Sequence, residues 1–106
     1  MKQETILGEL YLFKLRTDCS VERVVLNIIG KNSSYYLTRN KETNYKNSYA
    51  IADLGVYKSH RVLLEEDDES KAKEIMRKAL FLKLLDAQDK ANRALDTFSR
   101  FKEVNQ

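Results

Sequence analysis

Two hydrophobic periods divide the chain. Through residues 9–64 apolar positions come in short runs, whereas from residue 70 onward they recur every three or four residues. Glu9-Leu-Tyr-Leu-Phe-Lys-Leu-Arg16 and Val21-Glu-Arg-Val-Val-Leu-Asn-Ile-Ile29 are rich in aliphatic, aromatic and β-branched residues and predict strands. In the second run Val24, Leu26 and Ile28 fall on one face, with Arg23 and Asn27 on the other. The polar Thr17-Asp-Cys-Ser20 between them predicts a hairpin turn, and Gly30-Lys-Asn-Ser-Ser34 the next turn. Ser34–Arg39, a polar loop over Asn40–Lys46, Asn47–Ala52 and His60–Leu64 complete about five strands. Gly55, between the last two, marks a turn or bulge. Tyr35 and Tyr36, sharing a strand, must point to opposite sides.

The remainder predicts one helix. Glu65-Glu-Asp-Asp-Glu69 places five carboxylates at its N-terminus, where Asp67 or Asp68 can act as cap. Neither Gly nor Pro follows residue 55, and Ser70 to about Val104 is rich in Ala, Leu, Lys and Arg. Asp86–Lys90, Asp89–Arg93 and Asp96–Arg100 set acid before base at i, i+4, as on an exposed helical face.

Such a helix is about 50 Å long, while a 65-residue sheet domain is only about 25 Å across. It must project, break or find a partner. Leu80, Leu84, Ala87, Ala91, Ala94, Phe98 and Phe101 follow a 4-3-4-3-4-3 spacing, a heptad stripe suited to a second copy of the chain. Between residues 79 and 85 the helix is apolar nearly all round. The competing arrangement lays the whole stripe on the protein's own sheet, with a bend near Asp86–Gln88.

The 106 residues amount to one domain's worth of chain, and 42% hydrophobic with 33% charged residues fits a globular protein rather than a disordered one. The lone Cys19 excludes a disulfide framework. No run reaches the roughly 18 apolar residues of a membrane span, and no apolar leader follows Met1. The expected compartment is the cytoplasm. Net charge is +3, with the excess concentrated in 31–61, where Lys31, Arg39, Lys41, Lys46, Lys58 and Arg61 face only Glu42 and Asp53. That local field suits either an ordinary solvated surface or a polyanion.

Catalytic chemistry is thin. His60 and Cys19 are the single residues of their kinds, enough for a formal Cys–His pair but not for a transition-metal site. Three scattered glycines build neither a phosphate loop nor a dinucleotide fingerprint, and no Gly-x-Ser-x-Gly turn presents a serine. The acidic run lacks the spacing and central Gly of a calcium loop. The expectation is a non-enzyme without cofactor or metal.

Recognition remains. Tyr35, Tyr36, Tyr45, Tyr49 and Tyr57 interleave with the basic side chains. Tyrosine with arginine and lysine suits a protein interface or stacking and phosphate contacts on single-stranded nucleic acid; tyrosine is also a common strand residue. Candidate partner-binding residues are Tyr35, Tyr36, Arg39, Lys41, Tyr45, Lys46, Tyr57, Lys58 and Arg61.

Tyr35-Tyr-Leu-Thr, Ile51-Ala-Asp-Leu-Gly55 and Val62-Leu-Leu running into an acidic helix start resemble small bacteriophage and mobile-element proteins over roughly residues 20–80. The resemblance implies a curved sheet or barrel followed by a helix, and a phage-encoded accessory protein that occupies a host protein such as a defence nuclease, or organises nucleic acid. The expected architecture is α+β: an antiparallel, possibly barrel-like sheet domain over 1–67 and a long helix over 68–106 that dimerises through the heptad stripe. The expected function is non-enzymatic binding of a host protein, with nucleic-acid binding or a structural role in a larger assembly as the alternatives.

Overall fold

The computed structural model describes residues 4–105; residues 1–3, where a leader would begin, and residue 106 lie outside the described residues. The fold is α+β. Six strands, β1 (Gly8–Leu15), β2 (Val21–Lys31), β3 (Tyr35–Asn40), β4 (Lys46–Ala50), β5 (Tyr57–Lys58) and β6 (Arg61–Leu64), precede a single helix, α1 (Glu69–Val104). The sheet is antiparallel with spatial order β4-β3-β2-β1-β6-β5. It curls: Tyr49 on β4 and Leu63 on β6, four strands apart in that order, belong to one apolar cluster.

Alternation along β1 creates two cores. Leu10 and Leu12 point to the inner face, where they join Leu26, Ile28, Tyr36, Tyr49 and Leu63, with Ile51 and Leu54 packed against the group. Phe13 points the other way and meets Val62 and Leu64 of β6 and Ala72 and Met76 of α1. A strand buried on both faces must be apolar at consecutive positions, which is why Leu10-Tyr-Leu-Phe13 reads as a continuous run. Thr38, the one fully buried polar side chain among the described residues, donates its hydroxyl to the Asn47 carbonyl at 3.0 Å.

The turns follow from their side chains. Asp18 Oδ1 accepts hydrogen bonds from the Ser20 amide and hydroxyl, closing the β1–β2 hairpin with Cys19 at φ 68°. Asn32 Oδ1 accepts from the Ser34 and Tyr35 amides, and Asn40 Oδ1 from those of Glu42 and Thr43. These are turns in which a short polar side chain substitutes for a backbone acceptor.

Three details differ from the sequence reading. Among the described residues the strands number six, where the sequence indicates about five: Ser59 and His60 form a two-residue turn with φ of 53° and 61° between β5 and β6, so His60 is a turn residue and not the start of a strand. Gly30 is not a turn residue. It lies within β2 beside a bulge at Ile28/Gly30, where a Cβ would stand 3.4 Å from the Leu37 Cβ. Ile51–Asp53 is a 3-10 turn rather than the end of a strand, and β4 stops at Ala50.

At the helix start Asp68 is the cap: its Oδ1 accepts from the Lys71 amide at 3.0 Å. Asp67 instead bonds Arg23. The helix continues unbroken through Asp86–Gln88. One compact unit runs to Met76 and so includes the first two turns of α1; residues 77–105 form a second unit.

Candidate functional site

Strand pairing distributes the candidate partner-binding residues over two faces rather than one. Tyr35 and Arg39 point outward on β3, and Lys46 lies on the same face across the Arg39↔Lys46 pair. Tyr36 points inward and is only 6% exposed, opposite Tyr49 at 8%. Both rings are core side chains with charged caps. The Lys31 ammonium lies 5.2 Å from the Tyr36 ring centroid and the Arg61 guanidinium 5.3 Å from that of Tyr49, while the Tyr36 hydroxyl donates to Glu65. Tyr36 is therefore withdrawn from the contact surface: it sits where period-2 alternation sends every second residue of β3 into the core. Tyr57 is half-buried against the Phe13 cluster, with its hydroxyl 3.2 Å from His60 Nδ1. Tyr45 is exposed in the β3–β4 loop.

The basic side chains of 31–61 are engaged within the molecule, four of them on three carboxylates and two over aromatic rings. Glu4 accepts two hydrogen bonds from Arg39, at 2.8 and 2.7 Å, and lies 3.4 Å from Lys46 Nζ. Those contacts, Arg39 foremost, hold the Glu4 carboxyl well below its ordinary 4.5, at about 2. Lys41 bonds Glu9 at 3.2 Å, and Glu9, which also accepts from the Tyr11 hydroxyl, is likewise lowered. Lys58 lies 3.8 Å from Asp53. With Lys31 and Arg61 over aromatic rings, each basic side chain that looked available in the sequence has an intramolecular partner.

What the outer face of β2–β3 offers is apolar. Tyr35 is 51% exposed, Leu37 40%, and Ile29 half-buried. A shallow depression of about 320 Å³ is lined by Glu4, Ile6, Asn27, Ile29 and Arg39, and another of about 330 Å³ by Gly30, Lys31, Asn32, Tyr35, Leu37 and Ser48. Leu37 escaped the sequence reading although alternation from Tyr35 assigns it to the same face. Glu4 and Ile6 carry no local signal, because the chain brings them to β2 only through pairing next to Gly8↔Ile28.

The heptad residues Leu80, Leu84, Ala87, Ala91, Ala94, Phe98 and Phe101 are all exposed, as are Phe81, Leu82, Leu85 and Leu95. Asp86–Lys90, Asp89–Arg93 and Asp96–Arg100 form ion pairs at 3.0, 2.9 and 3.3 Å on α1, and Asp86, Asp89 and Asp96 lie off the heptad stripe. Cys19 is exposed in the β1–β2 turn. Among the described residues no three His, Cys, Asp or Glu side chains converge to hold a metal ion, and no helix is long and apolar enough to cross a membrane. Compared with known proteins, the chain matches no family model, and neither the curated proteins nor the solved structures yield a significant relative.

Proposed function

We propose that this chain is a non-enzymatic binding protein that engages a protein partner through the outer face of β2–β3 and self-associates through α1. The observation that carries the choice of a protein over a nucleic acid is the engagement of the basic side chains. Phosphate binding draws on cations that exchange counterions for phosphates, and here Arg39, Lys41, Lys46 and Lys58 lie against carboxylates of the same chain, which a phosphate would have to displace. The same face sets Tyr35, Leu37 and Ile29 beside a charged rim at Arg39 and Glu4, the apolar centre and polar border of a protein interface. The resemblance to small phage proteins agrees: the partner would be a protein of the host cell, with a defence nuclease among the candidates.

The test is capture from host-cell extract by the wild-type chain and by a Tyr35→Ser, Leu37→Thr double variant, each with and without nuclease treatment. Both substitutions lie on exposed strand positions and should leave the melting temperature within a few degrees. The expected result is a partner retained after nuclease and lost with the variant. Capture abolished by nuclease, together with oligonucleotide affinity that falls steeply with salt, would assign the nucleic-acid role instead.

A further inference from the structure

We infer that α1 pairs with α1 of a second copy in antiparallel orientation, with the twofold axis between Ala91 and Ala94. The inference rests on the reading of α1 as the self-association surface and adds its geometry. In a two-stranded antiparallel coiled coil each a position faces a d position of the other chain. With Leu84, Ala91 and Phe98 at a, and Ala87, Ala94 and Phe101 at d, one register places Leu84 on Phe101, Ala87 on Phe98 and Ala91 on Ala94. Each large side chain at Phe98 then meets a small one, and the helices come closest at the central alanines. Moving the register by one heptad sets Phe101 against Arg77 in one direction and, in the other, takes Leu84 away from Phe101 and seats both Phe98 and Phe101 on alanines.

A parallel, in-register pair stacks Phe98 on Phe98 and Phe101 on Phe101 at one end and Ala on Ala through the middle. Interhelical distance follows side-chain size over about 8–10 Å, so the phenylalanine layers would splay the helices that the alanine layers need close. In the antiparallel register, flanking positions bring Lys90 opposite Thr97 and Phe81 opposite Lys102, so no like charges face each other. The opposed helix dipoles add to the preference.

The area suffices. Leu80, Phe81, Leu84, Leu95, Phe98 and Phe101 are between 42% and 65% exposed. On a scale of about 200 Å² for a large side chain, they offer on the order of 700 Å² per chain. A standard stable interface takes about 800 Å² per partner, and the alanines and the flanking lysine stems supply the difference.

The experiment measures mass and distance on the full chain. Sedimentation first gives the oligomeric state. In a Cys19→Ser background, a spin label is then attached at Glu103→Cys or at Leu82→Cys, both on the helix side away from the stripe. The antiparallel pair places two labels at 103 about 31 Å apart along the axis, and likewise two at 82. Mixing the two singly labelled chains brings 82 level with 103, within about 20 Å. A dimer with a short distance in each singly labelled sample and a long one in the mixture is parallel and overturns the inference while leaving self-association standing. A monomer at high micromolar concentration overturns both. Because the two labelling sites give opposite expectations for single and mixed samples, misfolding of one variant does not imitate either answer.

Discussion

The Arg23 guanidinium on β2 grips both carboxylate oxygens of Asp67, with Nε 2.7 Å from Oδ1, and lies 5.5 Å from the ring centroid of Tyr11. Asp67 immediately precedes the cap Asp68, so the contact fixes the place on the sheet from which α1 departs. Two parallel hydrogen bonds from a planar fork set orientation as well as distance, which a lysine at the same position could not do. Arg23→Lys should therefore retain charge yet loosen the first turn. Amide hydrogen exchange over Lys71–Lys73 should accelerate while exchange in β1 stays unchanged; equal protection in variant and wild type would show that Ala72 and Met76 hold the turn without the clip.

Acid should act through Glu4. Its carboxyl is lowered from 4.5 to about 2 by Arg39 and Lys46, so the folded state favours the ionised form. A depressed folded-state value contributes stability that is complete above the unfolded value and is lost as pH falls towards the folded one. The window is about pH 4.5 to 2. Asp67 and Glu9, lowered by Arg23 and by Tyr11 with Lys41 respectively, act with the same sign. The urea midpoint should fall across that window, and Glu4→Gln should flatten the fall; an unaltered profile would assign the acid sensitivity to the other carboxylates.

The β5–β6 turn stores strain that the sequence does not advertise. Ser59 and His60 both have positive φ, as in the type I′ turns that match strand twist, yet neither is the Gly or Asn such turns prefer. A left-handed conformation costs an ordinary residue roughly 1–2 kcal/mol. Ser59→Asn with His60→Gly should therefore stabilise the chain by about 1–2 kcal/mol, read from the denaturation midpoint. The His60 carbonyl still accepts from the Leu15 amide, a backbone contact that the substitution preserves. No gain would mean that the Tyr57–His60 contact offsets the strain.

This turn also marks where sequence reasoning stopped. Runs rich in aliphatic, aromatic and β-branched residues found β1, β2, β3, β4 and β6, and the absence of Gly and Pro after residue 55 found α1, because those signals are local. The two-residue β5 has no pattern of its own and exists through pairing with β6. Gly30 looked like a turn because glycine usually punctuates; its role comes from Leu37 on the neighbouring strand. The binding face was the least legible part. Composition revealed tyrosines and cations, but the commitment of Arg39 and Lys46 to Glu4 depends on contacts 35 or more residues distant in sequence.

Two positions on α1 should separate folding from association. Met76 is buried with Phe13 and Val62, whereas Leu84, two turns later, is 52% exposed. Truncating a buried methionine forfeits its transfer energy and leaves a cavity, about 2–5 kcal/mol, so Met76→Ala should lower the unfolding midpoint at every protein concentration. Leu84→Asp removes nothing buried within the chain. It should leave the unfolding midpoint at low micromolar concentration near that of wild type and abolish the rise of that midpoint with concentration, because only an associating protein gains stability by mass action. Sedimentation should then report a monomer. If Leu84→Asp instead unfolds the chain at all concentrations, the exposed stripe serves the protein's own core, and self-association through it is rejected.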